Sequence, residues 1–82
     1  MKKILLIENN DQQRANTVEL LHLSNYNVIE ASNGRAGIEK AISCTPDLII
    51  CDIAMPELDG YGVLHAIHKN DQVKNTPFIF LT

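Results

Sequence analysis

The sequence predicts an α/β domain built around a parallel sheet. Three observations carry that prediction: four short strand-like segments recur along the chain, stretches of helical spacing separate them, and polar or proline-bearing breaks mark each change of period. Strands buried on both faces read as continuous apolar runs, and parallel neighbours need a crossover long enough to hold a helix. Strand and helix in strict alternation therefore imply right-handed βαβ units around one sheet.

Residues 4–7 are apolar throughout, as a doubly covered strand requires, and Glu8, Asn9, Asn10 and Asp11 end the run. One of these short polar side chains can cap the next helix by accepting a bond from an orphan N–H. That helix is predicted from Gln12 to about Leu23, with Ala15, Val18 and Leu21 at helical spacing and Leu20 and Leu23 beside them. Ser24 and Asn25 break it, and residues 27–31 form a second, shorter strand. After the loop Ser32, Asn33 and Gly34, the residues Ile38, Ala41 and Ile42 mark the inner face of a second helix. It stops at Thr45, because Pro46 disfavours helical geometry at the residue before it. Asp47 leads into the third strand, residues 48–51, and a polar loop follows from Asp52 to Asp59. A third helix, capped by Asp59, runs from Gly60 to about Lys69 with Val63, Leu64 and Ile67 inward. Residues 70–76 are loop, and a fourth strand starts at Pro77, a position where proline is tolerated.

Composition narrows the function classes. The 82 residues suffice for one small domain, and a hydrophobic fraction of 45% with 21% charged residues argues against a disordered segment. The formal net charge is −3 and the Lys and Arg residues are scattered, so no basic stripe is available for direct nucleic-acid binding. The apolar runs are far too short to cross a bilayer. Lys2, Lys3 and the apolar residues after them faintly imitate a signal peptide, but Glu8 ends the run and no small-residue cleavage site follows. A cytoplasmic protein without membrane contact is expected. Cys44 and Cys51 are too few for a disulfide framework or a zinc site, and Cys51 reads as a small core hydrophobe.

In parallel α/β sheets, ligands bind beyond the carboxyl ends of the strands. Glu8, Asp52 and Thr82 occupy three such ends. Neighbouring strands lie about 4.8 Å apart, so adjacency of the first, third and fourth strands would gather Glu8, Asn9, Asp52 and Thr82 in one shallow pocket. Oxygen donors collected this way suit a hard cation such as Mg²⁺. A carboxylate beside that cation can attack phosphorus, with a threonine hydroxyl in reach of a phosphoryl oxygen. Taken singly, each residue has a plainer reading: Asp52 solvates a loop, Glu8 begins a capping turn, and Asn9 sits in a turn where asparagine is common.

Together the motifs are more specific. Ile4-Leu5-Leu6-Ile7-Glu8-Asn9, Pro46-Asp47-Leu48-Ile49-Ile50-Cys51-Asp52, Met55-Pro56-Glu57-Leu58-Asp59-Gly60 and Pro77-Phe78-Ile79-Phe80-Leu81-Thr82 resemble the receiver domains of two-component response regulators. The most distinctive element is Asp52, Met55, Pro56, Asp59 and Gly60 in that spacing directly after an apolar strand. The resemblance covers the whole chain. It implies a flavodoxin-like, receiver-type parallel sheet of strand order 2-1-3-4 with three helices. It also implies a phospho-acceptor module, not an enzyme, that takes a phosphoryl group on Asp52 from a sensor histidine kinase. By the same resemblance, Glu8, Asn9, Asp52 and the backbone carbonyl of Ala54 hold Mg²⁺. Thr82 matches the hydroxyl residue that turns toward the phosphoryl group, while Met55, Pro56 and Gly60 match the loop into the third helix.

Two departures from the family pattern matter. Asn9 stands where a second carboxylate is usual, so Mg²⁺ binding is expected to be weakened rather than abolished. The family's fourth helix, fifth strand and fifth helix, with the lysine that ends that strand, would lie beyond Thr82. Residues 1–82 are accordingly expected to form a partial receiver domain. Its fourth strand then presents an unpaired edge, a template for self-association. Two other functions compete with the phosphorylation switch: a non-phosphorylated interaction module, toward which Asn9 leans, and a truncated fragment without signalling activity of its own. His65 and His68 stand one helical turn apart, but with no third ligand near them they and His22 read as solvated helix faces. A flavin-binding reading of the same topology fails, because Glu8, Asn9, Asn10 and Asp11 would repel a phosphate.

Overall fold

The computed structural model describes residues 1–81. Along the chain run β1 (Lys3–Ile7), α1 (Asp11–Leu23), β2 (Asn27–Ala31), α2 (Gly34–Cys44), β3 (Leu48–Asp52), α3 (Gly60–His68) and β4 (Phe78–Leu81). All strand pairs are parallel, and the sheet order is β2-β1-β3-β4, the order implied by the sequence. Thr82, expected to complete the fourth strand, lies outside the described residues.

β1 sits between β2 and β3, which explains its unbroken apolar run: Ile4, Leu5, Leu6 and Ile7 are all at most 3% exposed. Successive side chains point to opposite faces. Leu5 and Ile7 therefore join Ala31, Ile49 and Cys51 on one face, where Ala41 of α2 and Val63 and Ile67 of α3 cover them. Each fully buried aliphatic side chain of this kind contributes roughly 1.5–3 kcal/mol. Ile38 and Ile42 pack against this core, as their spacing predicted.

Two glycines let the helices approach closely. A Cβ on Gly37 would lie 2.4 Å from Cδ1 of Ile7, and one on Gly60 would lie 2.5 Å from the carbonyl oxygen of Asp52. The second approach presses the start of α3 against the end of β3. Helix starts follow the polar punctuation of the sequence. Asn10, Asn33 and Asp59 are the N-caps, their side chains accepting from the N–H groups of Gln13, Ala36 and Gly62 at 2.9, 2.8 and 2.9 Å.

Among the described residues the opposite face carries α1 alone, and none of the residues of α1 is buried. Val18 and Leu21 are half-buried, but Ala15, at the same helical spacing, is exposed, as are Leu20 and Leu23. A single helix lying over β1 and β2 covers Ile4 and Leu6 without being enclosed itself. Two predicted loops also contribute to the core. Val73, within residues 70–76, is 1% exposed, and Met55, in the loop read as polar, is buried too. No helix among the described residues is long and apolar enough to cross a membrane.

Candidate functional site

The candidate site forms where β1 and β3 end. Ile7 pairs with Cys51 in the parallel register, so the next residues, Glu8 and Asp52, emerge side by side. On the other flank Asp52 pairs with Leu81 of β4. β3 extends one residue further than its apolar run suggested, because this pairing carries the ladder through Asp52. Strand alternation sends Cys51 into the core and Asp52 to the α1 side. There, Glu8 and Asp52 line a cavity of about 390 Å³ with Gln13, Asn16 and Thr17 of α1 and Leu81 of β4.

Glu8 is the buried charged side chain among the described residues, and its surroundings fix it closely. Its N–H donates to the carbonyl of Ala31 at 3.0 Å. Its Oε2 accepts from the N–H of Asn10 at 3.1 Å, and its own carbonyl accepts from Nη1 of Arg14 at 2.9 Å. Asp52, also lining the cavity, is half-buried.

The loop after Asp52 is held at both ends. The N–H of Gly60 donates to the carbonyl of Ile53 at 2.8 Å, and the Met55 side chain anchors the middle in the core. Between them, the N–H of Leu58 donates to the carbonyl of Pro56 at 2.8 Å around Glu57, whose φ is 68°. A three-residue turn closed through a positive φ is strained for a residue with a Cβ, and the packing of Leu58 against the core keeps it in place.

Burial pushes the Cys51 thiol up to about 12, assisted by the charges of Asp52, Glu8 and Asp59. The thiol next to Asp52 in sequence therefore stays protonated near neutral pH. The pKa of Arg14 is also raised, chiefly by its hydrogen bond to Asp11.

The geometry brings Glu8 and Asp52 together. Asn9 and Ala54 are exposed on the adjoining loops, outside the cavity lining, and Thr82 lies outside the described residues. Among the described residues no three His, Cys, Asp or Glu side chains are assembled as a metal cluster, and His65 and His68 are exposed on α3. Two carboxylates, with an amide oxygen and a main-chain carbonyl nearby in sequence, form an all-oxygen donor set. That chemistry fits Mg²⁺, which takes one or two carboxylates and keeps much of its water. Sequence reasoning passed over Arg14, Gln13, Asn16 and Thr17. The signal for them was their place in the first two turns of the helix after an acidic strand end.

The chain matches the response regulator receiver domain family over residues 4–82. It belongs to that family. This receiver domain is 39% identical over 83 residues to the response regulator ArlR of Staphylococcus saprophyticus, covering all of this chain and 36% of that protein. Among solved structures, the N-terminal domain of a response regulator receiver protein from Methanoculleus marisnigri superposes with a TM-score of 0.96 at 27% identity, over 100% of this chain and 67% of that one. The receiver domain of a sensor histidine kinase from Pseudomonas aeruginosa, which carries magnesium in its active-site cleft, gives a TM-score of 0.95 at 28% identity, over 99% of this chain and 66% of that one. The chain thus spans about one third of ArlR, and receiver domains like it occur in both response regulators and histidine kinases.

Proposed function

We propose that this receiver domain accepts a phosphoryl group on Asp52 from the phosphohistidine of a sensor histidine kinase. The observation that carries the reading is the pairing of Asp52 with buried Glu8 at adjacent strand ends, both facing one cavity. A carboxylate oxygen of Asp52 attacks phosphorus and the new O–P bond forms. The P–N bond to the kinase imidazole breaks, and its electron pair returns to the ring nitrogen, which takes up a proton. The rigid end of β3, backed by Gly60, keeps Asp52 in line for that attack. Glu8 and Asp52, with Asn9 and the Ala54 carbonyl as further donors, would hold a Mg²⁺ ion, which when bound would neutralise charge on the phosphoryl oxygens. Substitution of a carboxylate by Asn9 weakens that site, because ligand charge tunes hard-cation affinity. The domain is a phosphorylation target rather than an enzyme with its own turnover, and Thr82 is the hydroxyl assigned to sense the phosphoryl group.

Intact-mass spectrometry after incubation with Mg²⁺ and acetyl phosphate tests the proposal. One phosphoryl adduct on the wild type, absent from Asp52→Asn, is expected. A folded wild type that gains no adduct overturns it in favour of the non-phosphorylated interaction module toward which Asn9 leans.

A further inference from the structure

We infer that Arg14 is a positioning residue for the Glu8 half of the site, its guanidinium locking the turn between β1 and α1 so that the Glu8 carboxylate faces the cavity. The inference rests on the proposed function and extends it to a residue outside the donor set.

Arg14 belongs to the first turn of α1, where its N–H donates to the carbonyl of Asn10 at 2.9 Å. A side chain there has every opportunity to extend into water, yet that of Arg14 is only 17% exposed. It folds back across the turn and engages three segments. Nη1 donates to the Glu8 carbonyl at 2.9 Å, Nη2 reaches Oδ1 of Asp11 at 2.7 Å, and Nε lies 3.3 Å from Oε1 of Glu30 on β2. One planar group thereby ties the end of β1, the start of α1 and the neighbouring strand together. Guanidinium suits this task because its donors are held in a fixed fork, whereas a lysine ammonium is a point charge on a flexible stem.

The consequence for Glu8 follows from which of its atoms are used. Arg14 takes the main-chain carbonyl, and Ala31 holds the main-chain N–H. The backbone of Glu8 is therefore gripped on both sides while its carboxylate is left free of the cation. One carboxylate oxygen accepts from Asn10, which shares the clamped turn. The direction of the other oxygen is then set by the turn itself. Partners of this outer kind typically change metal affinity by about 10–100-fold when removed. Exposed ion pairs such as that with Asp11, by contrast, are worth only about 0–1 kcal/mol in stability, so positioning and folding make separable forecasts.

The test is a Mg²⁺ titration of the whole chain by calorimetry, with amide chemical shifts and thermal melts recorded in parallel, for wild type, Arg14→Met, Arg14→Lys and Glu30→Gln. Arg14→Met is expected to weaken Mg²⁺ binding about 10-fold, with shift changes concentrated at residues 8–11 and α3 unmoved. Arg14→Lys should recover little, since an ammonium cannot span the same partners, and Glu30→Gln should fall between the extremes. Wild-type Mg²⁺ affinity in folded Arg14→Lys and Glu30→Gln, whatever their melting temperatures, overturns the inference. Absence of Mg²⁺ binding by the wild type itself overturns the proposed metal site and this inference with it. Intact binding with unaffected variants removes only the role of Arg14.

Discussion

Two rows of side chains cross the sheet from β1 to β4, one on each face, and they differ sharply. Leu5, Ile49 and Phe78 lie in register on the α2 and α3 side, and the first two are fully buried. One residue further along, Leu6, Ile50 and Ile79 form the row on the α1 side; Leu6 is fully buried, Ile50 half-buried and Ile79 51% exposed. Residue type does not explain the contrast, since both rows are apolar. What differs is cover among the described residues: two helices and the turns bearing Met55 and Val73 on one face, a single helix without a buried residue on the other. Stability is concentrated on the first face, while the cavity with Glu8 and Asp52 opens toward the second. A firm face fixes the strand ends, and the sparsely covered face leaves them accessible.

Truncating one helix on each side gives the largest test of this contrast. Ile67→Ala removes a buried side chain of α3 and should cost about 2–5 kcal/mol in urea unfolding, whereas Leu21→Ala on half-buried α1 should cost about 1 kcal/mol or less. Equal losses would erase the distinction between the faces.

Cysteines sharpen it through pH. Burial holds the Cys51 thiol at about 12 in the folded chain against its ordinary 9.0. Between those values the unfolded chain has released a proton that the folded chain keeps. The contribution of Cys51 is thus complete below the ordinary value and is lost as pH rises toward the folded one, by up to about 1.4 kcal/mol per pH unit. Cys51→Ala should flatten that alkaline decline in denaturation curves. At pH near 8, half-exposed Cys44 should react with a thiol reagent in the native protein and Cys51 only after unfolding. Rapid native labelling of both would show that the α2 and α3 side opens more easily than its packing indicates.

The smallest effect concerns the strained turn beneath α2. Glu57→Gly should raise stability by about 0.5–1 kcal/mol, because glycine meets a positive φ without the clash of a Cβ. A loss of stability on thermal melting would mean that the Glu57 side chain contributes more than its backbone costs.

Much of the fold was legible because single residues carried unambiguous signals. The apolar run of residues 4–7 reads as a strand covered on both faces, and Asp59 before Gly60 as the cap of a helix; both hold in the structure. Pairing the strand ends was legible once their adjacency was granted, and Glu8 and Asp52 do share a cavity. Residues whose role depends on tertiary placement were harder to read. Val73 is a lone valine among polar neighbours, and nothing local distinguishes a buried one from an exposed one. Ala15 has correct helical spacing, but spacing gives the face of a helix and not the depth of its cover. Gly37 reads as a weak helix residue until Ile7 is found beneath it, and Arg14 reads as a surface cation until its three partners are in place.

Among the described residues β4 is an outermost strand, and it forms one wall of the cavity, with Asp52 laddered to Leu81. Hydrogen exchange separates openings by their free energy, and an edge held on one side opens more cheaply than a central strand. Fraying of β4 would unmake the cavity while the amides of β1 stayed protected. The free energy that maintains the candidate site is then that of a local opening, smaller than the free energy of global unfolding. A contact that held the outer side of β4 would raise it, firming the site from a distance without touching either carboxylate.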